Sequence, residues 1–256
     1  EGIMHACGHE GHTAMLLAAA RYLAQHRDFA GTIYFIFQPA EEGLGGAKKM
    51  IEDGLFKLFP MDAVFGLHNW PGLPTGHFGL RTGAIMASSS TFTINIQGKG
   101  AHGAMPNLGA DPVMAAVHIA QGLQSIISRN LDPLDHAVLS VTQIHAGSAD
   151  NVIPDQAELR GTVRTFSHET LDMIEQRMQN LCQLNAQALG CSATLDFQRR
   201  YPPTINHEAP TSFCAHLLTD WLGAEHVTYP VTPSMGAEDF SFMHEEVPGC
   251  YLFPFC

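Results

Sequence analysis

Cys7 and His9 stand two residues apart in a stretch punctuated by Gly2, Gly8 and Gly11. A thiol and an imidazole at that spacing can bind one metal centre. The pair also reads as a glycine-rich loop with an unrelated Cys and His, or as a nucleophilic Cys–His couple, although residues this near in sequence seldom orient as acid–base partners. A second feature is Glu41-Glu42, which follows the apolar run Thr32–Phe37 through Gln38-Pro39-Ala40. Adjacent carboxylates repel unless a metal holds one and a proton or water the other; otherwise they form a solvated acidic turn. The third is His68, at the end of Ala63–His68, where a histidine serves equally as a hydrogen-bonded core residue or as a ligand. Histidine is abundant, fifteen in all, and His5, His9 and His12 flank Cys7.

These residues need elements to place them. Ala14–His26 is rich in helix formers and apolar nearly all round, which predicts a buried helix. Thr32–Phe37 is a continuous β-branched and aromatic run, as in a strand buried on both faces. A second helix over Gly46–Leu55, with Gly54 near its end, and a strand over Ala63–His68 complete a β-α-β order that predicts a parallel sheet. Ligands bind at the carboxyl ends of strands in such sheets, where Glu41, Glu42 and His68 would lie.

From residue 86 the pattern changes. Thr91–Gln97 alternates like a half-buried strand, Asp111-Pro112 opens a helix to about Arg129, and strands follow at Ala137–His145 and Ala157–Phe166. Ser167 can cap a helix closed by Gly190, and a last strand spans about Ser192–Gln198. That βαββαβ order is ferredoxin-like. Past Arg199 the α/β style returns, with a helix at Thr211–Leu222 and a strand at Cys250–Phe253. The reading is an α/β protein: a mostly parallel, metal-binding sheet domain from 1–85 and 199–256, interrupted by an inserted ferredoxin-like domain over 86–198.

The net charge of −12 and the presence of only two basic doublets, Lys48-Lys49 and Arg199-Arg200, argue against nucleic acid or an anionic membrane as partner. No apolar run reaches the roughly 20 residues of a membrane span, and a signal peptide is not expected. The six cysteines lack disulfide-framework spacing and read as thiols of a reducing compartment, so a cytoplasmic protein is expected. Because the chain opens on Glu1, it is expected to be a fragment or processed product.

The segment Met4-His5-Ala6-Cys7-Gly8-His9-Glu10-Gly11-His12-Thr13-Ala14-Met15-Leu16-Leu17 closely resembles the metal-binding segment of the amidohydrolase branch of the M20 dinuclear metallopeptidases, which includes hippurate hydrolase, N-acetyldiaminopimelate deacetylase and the auxin-conjugate hydrolases. Phe35–Glu42, Gly66–Asn69, Gly98–His102, Asn151–Pro154 and Gly236–Phe242 match further signatures in order. The resemblance implies hydrolysis of the amide bond of N-acyl amino acids or related small carboxylates with two divalent metal ions, Zn or Mn, per subunit. It implies Cys7 as bridging thiolate, His9, Glu42 and His68 as terminal ligands, and Glu41 as the general base and acid. The inserted domain resembles a lid and homodimerisation domain, in which His102 stabilises the oxyanion and Asn151 and Arg164 hold the substrate's free carboxylate. Otherwise Arg160 and Arg164 are same-face strand charges. His5, His12, His118 and His145 are expected to be structural or solvated.

Family members carry a longer stretch before the Cys-Gly-His segment, and a final ligand histidine beyond the last strand that His244 does not match. The chain as written thus offers four of five expected protein ligands. A truncated or inactive member that binds metal or a partner without turnover is the alternative, and a thiol hydrolase using Cys7 is a second.

Overall fold

The computed structural model describes residue 2 and residues 6–255; Glu1, Met4 and His5, named above, lie outside them. Helices α1 (His9–Gln25), α2 (Glu41–Leu44), α3 (Gly46–Glu52) and α4 (Leu55–Leu58) precede strands β1 (Val64–Leu67), β2 (Phe78–Gly79), β3 (Gly83–Met86), β4 (Ser89–Gln97) and β5 (Ala101–His102). Helix α5 (Pro112–Ser125), strands β6 (Ala137–Ala146), β7 (Val152–Ile153) and β8 (Gln156–Thr165), helix α6 (His168–Ala188) and strand β9 (Ser192–Tyr201) follow. The chain closes with β10 (Thr204–Asn206), α7 (Glu208–Leu222), β11 (Val227–Thr228), α8 (Ser241–Glu246) and β12 (Gly249–Pro254). It divides into two compact units, Glu1–Ile85 with Thr204–Ser234 and Glu238–Cys256, and Met86–Pro203 with Met235–Ala237.

The first unit holds a four-stranded sheet of order β1-β12-β2-β11, in which β1/β12 and β2/β11 run parallel and β12/β2 antiparallel. Val64 stands opposite Gly249 and Leu67 opposite Leu252. Gly249 permits the close approach, since a Cβ there would lie 2.1 Å from the Val64 carbonyl oxygen. Leu80, Cys214, Ala215 and Cys250 pack between α7 and the sheet as a small core.

Three expectations for this unit fail. Residues 32–37 form no strand, and Ile33, Tyr34 and Phe37 remain exposed. A strand exists by exchanging backbone hydrogen bonds with a neighbour, and among the described residues none is in register with this segment. The first helix begins at His9 rather than Ala14 and buries none of its residues. Its apolar composition supplies a surface to cover, but burial requires an element packed against it. The second expected helix is two short ones, broken at Gly54, whose φ of 100° lies outside the helical region.

The second unit is an antiparallel sheet of order β6-β8-β4-β9 with α5 and α6 on one face. Alternation decides the faces. Phe92, Ile94 and Ile96 of β4 join Ile119, Leu123, Leu159, Ile174 and Met178 in the core, whereas Thr91 and Thr93 line the opposite face. Asp111 caps α5 by accepting hydrogen bonds from the Val113 and Met114 amides at 2.8 and 3.3 Å, and Ser167 caps α6 through the Thr170 amide at 3.1 Å. Strand β9 runs to Tyr201, past the expected Gln198, because an irregularity at Ser89/Ser90 lets it keep pairing with β4. No helix among the described residues is long and apolar enough to cross a membrane.

Candidate metal centre

Gly8 adopts φ 84° at the start of α1, a left-handed conformation that glycine takes without strain, and so turns the chain between Cys7 and His9. His9 opens α1 and His12 follows within a turn. Among the described residues Ala40 is the one non-glycine residue with positive φ (53°), a strained backbone of the kind that collects at functional sites. It introduces Glu41 and Glu42, and α2 itself is distorted at Glu42 and Gly43. His68 leaves the carboxyl end of β1, and its Nδ1 lies 2.7 Å from the Asn69 carbonyl oxygen. That oxygen can only accept, so Nδ1 carries the proton and the Nε2 lone pair is free for a cation.

The side chains converge. Cys7, His9 and His68 each bring one ligand atom within 4.8 Å of the others, as do His9, Glu41 and Glu42, and Glu41, Glu238 and Asp239. His9 Nε2 is 3.7 Å from Glu42 Oε1. Because His9 belongs to the first two groups and Glu41 to the last two, the three form one continuous chain of thiol, imidazole and carboxylate donors. Such a donor set fits divalent ions: it combines soft and hard ligands, and its crowded carboxylates need positive charge between them.

The crowding is visible in proton affinities. Glu41 is pushed up to about 8, by burial first and then by the charges of Glu238, Glu42 and Asp239. Asp239 is raised to about 7, again chiefly by burial, against the hydrogen bond from the Ala47 amide. The Cys7 thiol is also raised, through burial and then Glu42. That is the opposite of what activates a free cysteine nucleophile, and it suits a thiol ionised by a metal.

Glu238 and Asp239 sit just before α8 and are buried. Tyr251 on β12 donates its hydroxyl to Glu238 Oε2 at 2.7 Å, the Phe240 amide donates to Glu238 Oε1 at 3.2 Å, and Gln38 donates to Asp239 Oδ1. Sequence reasoning quoted Gly236–Phe242 as a signature but gave these acids no role; Glu238-Asp239, an acidic pair inside an otherwise apolar stretch, was the available signal. His12 accepts a hydrogen bond from the Asn69 amide at 2.9 Å, and burial with the neighbouring His68 and His9 lowers it to about 4. It is a neutral tether between α1 and the end of β1.

The remaining expected site residues belong to the second unit. His102 on β5 pairs with Val152 on β7 and is exposed, its Nδ1 accepting from the Ala104 amide. Asn151, next along the chain from Val152, accepts from the Gly103 amide at 2.7 Å, so His102 and Asn151 share one two-stranded ribbon. Arg164 lies on β8, half-buried.

A family model described as peptidase family M20/M25/M40 matches residues 1–256. Hippurate hydrolase of Campylobacter jejuni is 42% identical over 253 residues, covering 99% of this chain and 66% of its own length. N-acetylcysteine deacetylase of Bacillus subtilis is 41% identical over 254 residues, with the same coverages of 99% and 66%. A solved structure from Bacillus subtilis, described as a dinuclear metal binding peptidase of the M20 family, superposes with a TM-score of 0.83 at 36% identity, covering 99% of this chain and 64% of that one. The chain thus spans slightly less than two thirds of the length of these relatives.

Proposed function

The chain belongs to peptidase family M20/M25/M40, and we propose that it is a metal-dependent amidohydrolase cleaving the amide bond of N-acyl amino acids or related small carboxylates. The observation that carries this is the convergence of Cys7, His9 and His68 with Glu41 and Glu42 at the end of β1. The named relatives, a hippurate hydrolase and an N-acetylcysteine deacetylase, support the substrate class.

In this reading Cys7, His9, Glu42 and His68 hold two divalent ions, for which thiolate with imidazole favours zinc and the carboxylates also admit manganese. When bound, these ions polarise the scissile carbonyl and bring the pKa of water towards neutrality. Glu41 accepts a proton from the attacking water and returns it to the departing amine. In the metal-free chain, burial with the charges of Glu238, Glu42 and Asp239 raises the proton affinity of Glu41. Tyr251 and the Phe240 amide fix Glu238, so that it acts on Glu41 from a set position. His102 would donate to the developing oxyanion, and Asn151 and Arg164 would hold the free carboxylate, a task that suits a guanidinium.

We read the second unit as the ferredoxin-like lid and dimerisation domain, in a cytoplasmic homodimer. Its sheet ends on β6 and β9, each with one strand neighbour, and an edge strand is a template for pairing with a second copy. The test of function is one preparation assayed twice, for metal content and for hydrolysis of N-acetyl, N-benzoyl and indole-acyl amino acids with zinc or manganese added. Two metals with turnover that is lost on chelation is the expected result. Metal without turnover would support the binding-only alternative, and turnover that survives chelation but not alkylation would support a thiol hydrolase.

A further inference from the structure

Two free cysteines of the first unit, Cys214 and Cys250, share the small core between α7 and the sheet with Leu80 and Ala215. Thr211, Cys214 and Ala215, spaced i, i+3 and i+4, are the buried residues of α7 and form its inward face. Cys250 is the second residue of β12, opposite Phe65 of β1. Alternation along β12 keeps it apart from the metal centre: Leu252 packs on the same small core, whereas Tyr251 between them reaches Glu238. The two thiols are hydrogen-bonded to one another, and the Cys250 sulfur also lies 3.8 Å from the Tyr251 carbonyl oxygen. Cys214 keeps 8% of its surface, whereas Cys250 has none.

A buried thiol is ordinarily inert, because loss of water disfavours the thiolate. Cys182, in the core of the second unit, shows this: burial alone pushes it up to about 12. Cys214 goes the other way. The hydrogen bond with Cys250 favours its thiolate and outweighs burial, so its proton affinity falls; the same bond and burial raise that of Cys250. Of the two, Cys214 therefore gives up its proton first. A more acidic thiol at the rim of a core, with a second thiol bonded behind it, is the arrangement of an attacking and a resolving sulfur.

We propose that Cys214 and Cys250 are a site of reversible oxidation, closing to a disulfide between α7 and β12 when a small hydroperoxide reaches Cys214. The Cys214 thiolate attacks one peroxide oxygen, the O–O bond breaks, and the departing hydroxide takes up the proton that Cys214 gave, forming water. The Cys250 sulfur then attacks the Cys214 sulfur. The S–O bond of the sulfenic acid breaks as the S–S bond forms, and the hydroxyl leaves with the Cys250 proton as a second water. Two thiols lose two electrons and the peroxide gains them. In a reducing compartment the dithiol is the resting form, and the disulfide is the transient one. Once closed, it ties α7 to the strand that pairs with β1. Neither thiol belongs to the proposed metal centre, so the amidohydrolase reading plays no part.

The probe is hydrogen peroxide, added to the folded Cys256→Ser chain and followed by N-ethylmaleimide to block the remaining thiols. Cleavage after glutamate then leaves Cys214 as the one cysteine of peptide 209–225 and Cys250 as the one cysteine of peptide 247–256. Mass spectrometry should find these two peptides joined, and dithiothreitol should release them. The joined chain should melt about 5 °C or more above the dithiol. Cys250→Ala should abolish the link and leave Cys214 as a sulfenic or sulfinic acid. The peptide map of the Cys256→Ser chain decides the matter even if Cys250→Ala folds poorly. No joined peptide, a joined peptide that forms only after unfolding in urea, or Cys214 joined chiefly to another cysteine overturns the inference. So does a joined chain that melts below the dithiol, since the native packing would then hold the two sulfurs out of bonding position.

Discussion

Replacing Glu41 by Gln separates proton transfer from metal binding, and the structure sets the size of both effects. Glu41 has a pKa of about 8 in the metal-free chain, so at pH 7 about nine in ten of these carboxyls are protonated. Divalent ions among Cys7, His9, Glu42 and His68 would favour the ionised form, so binding at pH 7 should expel about 0.9 proton from Glu41. The variant has no such proton to give. The difference in proton release between parent and Glu41→Gln should therefore be about 0.9 at pH 7 and shrink to about 0.1 at pH 9. Calorimetric metal titrations in buffers of different ionisation enthalpy measure it directly. Metal content should be unchanged, because the four proposed ligands remain. Turnover should fall by about 10²–10⁴, roughly 3–5 kcal/mol of barrier, since an amide near-isostere cannot accept the water's proton. Stability follows the same titration. Because the folded pKa lies above the ordinary 4.5, the contribution of Glu41 is fully present below pH 4.5 and lost as pH rises through about 8. Metal-free Glu41→Gln should accordingly gain on the parent at pH 8.5 relative to pH 4, read as the shift in urea midpoint. Equal proton release at pH 7, or a Gln variant that keeps most of an active parent's rate, would refute the reasoning.

Cys7→Ser should lose more metal than Glu41→Gln in elemental analysis, since a hydroxyl is not ionised as a thiol is and bridges poorly; equal metal in both would remove the division of roles. Tyr251→Phe deletes the 2.7 Å donor to buried Glu238 and should destabilise the metal-free chain by about 1–3 kcal/mol, checked by denaturant unfolding. An unchanged midpoint would mean that this hydrogen bond has no net worth. Sedimentation at micromolar concentration should show a dimer formed through the second unit, and a monomer would count against pairing by its sheet edge.

The sequence determined what depends on neighbours along the chain. Alternation in residues 91–97 placed β4, Asp111 and Ser167 capped their helices, and Gly190 closed α6, because each is a local choice between backbone conformations. Cys7 with His9 and Glu41 with Glu42 stood out as close pairs for the same reason, while His68 entered through its place at the end of an expected strand and through the family resemblance. Tertiary structure decided what depends on partners. The burial expected of Ala14–His26 and Thr32–Phe37 is absent, since composition supplies an apolar surface without saying what covers it. Glu238 and Asp239 reach Glu41 from nearly 200 positions away. Their raised proton affinities come from burial and mutual repulsion, which exist only once the chain has folded around them.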